Sequence, residues 1–201
     1  MKTDHSTIEI ARDLFMKYGL KSISMDEICK AAGISKKTIY TQVKNKAELI
    51  DQVVVGFIEN EERFIKNVKA SSKDALVEMI NLTGHSIGFI RNLKPTVSYD
   101  LKKYYRKTWQ KIEDSHFDFI RMTIRENIFR GKKEGFYREE INADIVSNLY
   151  LHTTRSIMEE DLFPSTNFSQ VLVFENFIEY HLHGILNETG LKQYKLYQSN
   201  A

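Results

Sequence analysis

Hydrophobic positions recur at helical spacing along most of this chain, and short polar clusters punctuate them. Ile8, Ala11, Leu14, Phe15 and Tyr18 form one apolar face that Gly19-Leu-Lys brings to a stop, with Ile23 and Met25 following the turn. Ile28, Cys29, Ala31 and Ala32 mark a second, shorter helix that Gly33 closes. A third short helix is expected from Lys36 to about Gln42. A long one is expected from about Lys46 to Lys69, with Leu49, Val53, Phe57, Phe64, Ile65 and Val68 on its apolar side. Ser71-Ser-Lys-Asp breaks the pattern, and Leu76, Met79, Ile80, Thr83, Ile87 and Ile90 start the next stripe. Asn92-Leu-Lys94-Pro95 ends that stripe and places Pro95 at the first position of another short helix. A long helix then runs from about Arg106 to Lys133, with Trp109, Ile112, Phe117, Ile120, Ile124 and Ile128 inward. Two final helices are expected at about Ala143–Asp161 and Phe168–Glu188, and the residues after Gly190 read as a polar, frayed tail. No strand pattern and no internal repeat stand out, so the expected fold is all-α: a small N-terminal three-helix head, then a larger C-terminal bundle.

The head carries the densest signals. Ser24-Met-Asp-Glu27 reads as a capping box, in which the Ser hydroxyl takes a first-turn N–H and Glu27 reaches back to the N-cap amide. Ser35 caps the next helix, and Asn45-Lys-Ala-Glu48 is a further capping box opening the long one. Two short helices across a Gly-containing turn, the second bearing Lys36, Lys37, Thr38, Tyr40, Thr41 and Gln42, make a helix-turn-helix. The preceding helix supplies the third element, because two short helices bury too little surface by themselves. Lysine can donate to guanine O6 and N7, glutamine can pair with adenine, and a threonine methyl suits thymine.

The segment IARDLFMKYGLKSISMDEICKAAGISKKTIYTQVKNKAELI resembles the N-terminal domain of the tetracycline-repressor (TetR) family of bacterial transcription regulators. The likeness covers roughly residues 6–50. It rests on the order and spacing of Phe15 through Gly19, Met25-Asp26, Ile28, Ala31-Ala32-Gly33, Ser35-Lys36, Thr38, Tyr40 and Lys46. Three positions depart from the family pattern: Val43 replaces the usual Phe, Gln42 stands where an aromatic or His is common, and Cys29 replaces Ala. Val43 keeps the apolar character that packs the third helix, whereas Gln42 bears on which bases are read. The resemblance implies a DNA-binding domain over 1–46 and a ligand-binding and dimerisation domain over 47–201. It also implies that Tyr40 and Lys46 contact phosphates, with Ser24 adding a hydroxyl at the start of its helix. The expected DNA-facing set is Ser24, Ser35, Lys36, Lys37, Thr38, Tyr40, Thr41, Gln42 and Lys46. The implied partners are a palindromic double-stranded operator, a second copy of the chain joined through the last two long helices, and a small-molecule inducer of unknown identity.

Charge sharpens this picture only slightly. Residues 1–50 hold nine Lys/Arg against six Asp/Glu, net +3, while the other 151 residues carry −1, a basic head on a near-neutral body. The 201 residues suffice for a substantial core, and two prolines and nine glycines favour long helices. No apolar stretch follows Met1-Lys-Thr-Asp-His, and clusters such as Val53–Val55 and Val171–Phe174 are too short to span a bilayer. A lone cysteine forms no internal disulfide, so the expected setting is the cytoplasm, away from membranes.

Within the body, His85, Phe89, Tyr99, Trp109, His116, Phe117, His152 and Phe177 are the candidates to line a ligand pocket, set against the plainer reading that they are core or rim. The Lys102-Lys-Tyr-Tyr-Arg-Lys107 run reads as a solvated basic face rather than a second nucleic-acid patch. His181 and His183, two apart on a helix, point to different sides and make no metal pair. Cys29, packed where Ala is usual, reads as inert. No nucleophile elbow, P-loop, H-E-x-x-H or paired Cys spacing is present, so neither catalysis nor a cofactor is expected. The rival is a helical small-molecule carrier or enzyme with a vestigial head, which turnover, or ligand binding indifferent to DNA, would reveal. Repressor and activator are not separable from the residues.

Overall fold

The computed structural model describes residues 5–94, 96–159 and 163–199, with side chains from residue 7 onward. Pro95 and residues 160–162, which bear on the expected short-helix start and on the end of one long helix, lie outside the described residues. Among the described residues, eleven α-helices run in the order α1 His5–Tyr18, α2 Met25–Ala32, α3 Lys36–Tyr40, α4 Lys46–Ser71, α5 Ala75–Asn92, α6 Thr96–Tyr104, α7 Arg106–Lys111, α8 Phe117–Lys133, α9 Ala143–Met158, α10 Gln170–Ile185 and α11 Glu188–Ser199. The chain forms two compact units, one of residues 1–63 and 92–116, the other of 64–91 and 117–201. The expected domain boundary after residue 46 falls inside the first unit, at the start of α4.

In the first unit, α1–α3 close on Ala11, Phe15, Ile23, Met25, Ile28, Ile39 and Val43, all buried, with Leu49 and Ile50 from the start of α4. Gly19 (φ 89°) and Gly33 (φ 66°) take the left-handed conformation that turns the chain after α1 and α2. Helices α6 and α7 brace this head. Buried Asp100 accepts the Lys21 N–H (3.3 Å), while Asp51 on α4 accepts from Thr108 Oγ1 (3.0 Å) and pairs with Lys111 (2.7 Å).

In the second unit the core gathers Leu76, Met79, Ile124, Ile128, Ile157, Phe174, Ile178 and Leu182. A polar network is sealed beside it around the first turn of α5. Asp74 Oδ1 caps Val77 N–H (2.8 Å), and Glu134 accepts from Ala75 N–H (2.7 Å). Asn127 donates to the Ala75 carbonyl (2.9 Å), and Tyr137 donates to Asn127 Oδ1 (2.8 Å) with that carbonyl as alternative acceptor (3.1 Å). Arg130 joins buried Glu78 (2.7 Å), Glu134 (2.7 Å) and the Ser72 carbonyl (2.9 Å). The Arg130–Glu78 pair is held through Glu78 Oε2 alone, while Glu78 Oε1 and the Ser72 hydroxyl are buried without a hydrogen-bond partner among the described residues.

Three expectations are corrected. The helix expected from Arg106 to Lys133 contains a π-helical turn at Ile112–His116, where the i→i+5 pattern interrupts the α-helical register. The tail expected to fray after Gly190 is α11. Asn187 caps it through Gly190 N–H (2.9 Å), buried Tyr194 donates to Glu179 (2.5 Å), and Tyr197 donates to Asp74 (3.1 Å). Its tyrosines carry the burial, which a reading based on aliphatic periodicity undervalues. The two long closing helices are shorter than expected, 143–158 and 170–185, because Ser169 supplies the N-cap of α10 (3.4 Å) and Leu186 leaves it in extended conformation. Leu186 also forms an isolated antiparallel bridge with Tyr137.

Candidate nucleic-acid interface

The recognition segment is built by its caps. Ser24 Oγ accepts the Glu27 N–H (3.2 Å) and Glu27 Oε2 accepts the Ser24 N–H (2.7 Å), the reciprocal arrangement expected. These hydrogen bonds hold the Glu27 carboxyl below its usual range. Ser35 Oγ accepts the Thr38 N–H (3.0 Å) and shares a proton with the Thr38 hydroxyl (2.8 Å). At the start of α4, Asn45 Oδ1 takes the Glu48 N–H (3.0 Å). Glu48 returns to the Lys44 N–H (2.7 Å), one residue earlier than a strict capping box requires.

With Ile39 and Val43 buried, the other side of α3 faces solvent: Ser35, Lys36, Lys37, Thr38, Tyr40 and Thr41 are exposed and Gln42 is half-buried. Thr41 Oγ1 donates to the Thr38 carbonyl (2.7 Å), which leaves its lone pairs and its methyl unengaged by that bond. Lys36 pairs with Asp26 on α2 (2.7 Å), and this hydrogen bond raises its pKa. The Asp26 pair occupies one of the three ammonium donors of Lys36. Lys46 is partly buried with its ammonium 5.8 Å from the Phe15 ring, and desolvation lowers its pKa. The Asp100 and Glu27 carboxylates offset part of that desolvation.

The pocket candidates divide between the two units. In the first, Trp109 is buried under the Lys102 ammonium (5.3 Å), and His116 meets Phe57 edge-on (6.0 Å) with its imidazole pKa lowered by burial. Tyr99 is exposed, and its hydroxyl takes Lys103 (2.6 Å). In the second, His85 stacks on Phe64 (3.8 Å), Phe89 is half-buried, Phe117 lies under the Arg155 guanidinium (4.4 Å), and His152 is exposed on α9. Phe177 sits in an aromatic cluster with Tyr150 (5.4 Å), Phe174 (6.1 Å) and His181 (5.9 Å). His181 was weighed above only as half of a metal pair. It is buried with Nε2 unpartnered among the described residues, and burial brings its pKa down to about 4. The i, i+4 spacing of Phe177 and His181 is the signal that marks them as one face. Among the described residues no cluster of His, Cys, Asp and Glu could hold a metal, and no helix is long and apolar enough to cross a membrane.

An all-α chain whose capped, solvent-facing short helix presents lysines, hydroxyls and a glutamine is a helix-turn-helix DNA binder. Residues 8–53 match the family described as bacterial regulatory proteins, tetR family. The HTH-type transcriptional regulator YhgD of Bacillus subtilis is 44% identical over 160 residues, covering 72% of this chain and 78% of its own. The HTH-type transcriptional repressor KstR2 of Mycobacterium tuberculosis is 23% identical over 151 residues, 73% and 75% of the two chains. In fold, the chain is similar to a TetR-family transcriptional regulator from Agrobacterium tumefaciens, with a TM-score of 0.73 at 16% identity over 90% of this chain and 96% of the other. The chain therefore belongs to the TetR family and is a DNA-binding transcriptional regulator.

Proposed function

We propose that the protein is a homodimeric repressor that holds a palindromic operator and leaves it when the helical bundle takes up a small molecule. The observation that carries the DNA half is the exposed Lys36-Lys37-Thr38 face with Tyr40, fixed by the Ser35 cap and the buried Ile39. One such helix reads only a few base pairs, and a two-fold pair reads a palindrome. Support for the dimer comes from two apolar stripes that face solvent in the single chain. Ile145 and Leu149 project from α9, and Leu172 and Tyr180 from α10, each between 57% and 81% exposed. Stripes of this kind suit a four-helix pairing between subunits. Support for a ligand is the aromatic cluster of Tyr150, Phe174, Phe177 and His181, in which His181 Nε2 is buried without a partner among the described residues. A ligand lowers operator affinity only so far as it prefers the conformation that does not bind DNA.

The experiment is selection of genomic DNA fragments by the purified protein beside a Lys36→Ala/Lys37→Ala/Tyr40→Ala variant. Recovery of one palindromic site by the wild type alone supports this reading and identifies the neighbouring genes. Equal, salt-sensitive background from both proteins refutes it.

A further inference from the structure

The run Lys102–Lys107 does not stand alone in the fold. Lys21, in the turn between α1 and α2, places its ammonium 4.2 Å from the centroid of the Tyr104 ring. Lys103 approaches the same ring (5.4 Å) and donates to the Tyr99 hydroxyl (2.6 Å). Two ammoniums thus share one phenol, which lowers the pKa of Tyr104. Lys94 reaches the Tyr18 carbonyl (3.4 Å), and Lys17 lies over the Tyr18 ring (5.1 Å). Tyr18, Tyr99 and Tyr104 are all exposed.

Three lysines elsewhere are engaged by carboxylates: Lys36 with Asp26, Lys69 with Glu126 and Lys111 with Asp51. Lys21 and Lys103 make no ion pair with a carboxylate among the described residues. The acid nearest them in sequence, Asp100, is buried and occupied by the Lys21 backbone. Residues 94–107 hold five Lys/Arg and that one acid. Lys94 can be explained as a cap on the last carbonyls of α1, and Lys102 and Lys103 as cations in the last turn of α6. That explanation does not extend to Lys21, which comes from about 80 residues earlier in the chain to the same Tyr104 ring as Lys103.

We propose that Lys21, Lys103, Tyr99 and Tyr104 form a second phosphate-binding face that holds the DNA backbone flanking the operator core. The proposal rests on the DNA-binding reading above. Charge complementarity favours a polyanion, and ammoniums interleaved with phenol hydroxyls offer a phosphodiester several donors at once. Continuity favours DNA over other polyanions: Lys21 lies three residues before Ser24, the N-cap of α2, in the same compact unit as α3. The patch displays tyrosines rather than the aliphatic side chains with which a surface helix enters a lipid headgroup layer.

The test uses the full chain and the duplex recovered in the selection, either trimmed to its palindromic core or left with about ten base pairs, one helical turn, on each flank. Wild type is expected to bind the flanked duplex roughly tenfold more tightly at low salt. Its log–log salt slope should be steeper by about 0.9 for each added phosphate contact. A Lys21→Gln/Lys103→Gln variant should lose that advantage while keeping its affinity for the core and its melting temperature, and a Lys21→Arg/Lys103→Arg variant should retain it. Unchanged slope and affinity in the Gln variant on both duplexes overturn the proposal. So does a Gln-sensitive binding to anionic phosphatidylserine vesicles with no effect on DNA, which would assign the face to a membrane. If wild type binds neither duplex specifically, the failure lies with the DNA-binding reading itself.

Discussion

In the head, the side-chain hydrogen bonds that cap the helices close within three or four residues of chain, Ser24 with Glu27, Ser35 with Thr38 and Asn45 with Glu48, while the bracing contacts of Asp100 and Asp51 reach farther. In the second unit they close across long separations: Glu78 with Arg130, Ala75 with Asn127 and Tyr137, Asp74 with Tyr197. The head uses its polar groups to cap helices and leaves the outer face of α3 to solvent, where a ligand can claim it. The second unit consumes its polar groups in holding the α5 N-terminus against α8 and α11. A polar side chain in the head is therefore expected to govern binding, and one in the second unit to govern stability.

The largest effect expected from this contrast is on DNA. Removing Lys36, Lys37 and Tyr40 together should weaken specific binding about a thousandfold by fluorescence anisotropy, since each lost base or phosphate contact costs roughly tenfold. The urea midpoint should stay where it was. Loss of stability instead would break the contrast at its first term.

Next comes Gly190→Leu in the second unit. A Cβ there would land on the Phe136 carbonyl and against Leu186, so α11 must shift or undock. The expected cost is about 3 kcal/mol in urea denaturation, with operator affinity of the folded fraction unchanged.

His181 predicts a pH dependence of comparable size. Its pKa is about 4 in the fold against an ordinary 6.5, so between these values the unfolded chain binds more protons than the native one. Stability is complete above pH 6.5 and falls as pH drops toward 4, by roughly 3 kcal/mol from this group. His181→Phe should flatten the curve in that window. An unaltered slope would mean that the imidazole is hydrated and charged.

Two smaller changes sharpen the comparison. Tyr137→Phe leaves Asn127 Oδ1 without its donor and should cost about 1–2 kcal/mol, read by thermal denaturation. Ser35→Ala removes the α3 cap and should cost about 1 kcal/mol. Unlike Tyr137→Phe, it should also lower DNA affinity, because α3 then holds its lysines less firmly.

The amino-acid sequence by itself determined the head: three helices, their caps, the Gly19 and Gly33 turns and the exposed face of α3. Each of these depends on residues three or four apart, so the chain carries the signal wherever it goes. It also determined that the rest is helical, through the period of its aliphatic side chains. Tertiary structure decided the remainder. Packing turned a polar tail into α11, through Tyr194 and Tyr197 meeting residues far earlier in the chain. Packing also set His181 against Tyr150 and brought Lys21 to the ring of Tyr104, and a π turn stands at Ile112–His116. Local signals mark part of this, the Asn187 cap for α11 and the i, i+4 spacing of Phe177 and His181. The distant partners, Glu179 and Asp74 for the α11 tyrosines, Tyr150 for His181 and Tyr104 for Lys21, are supplied by the packing of the folded chain, and no hydrophobic period announces them.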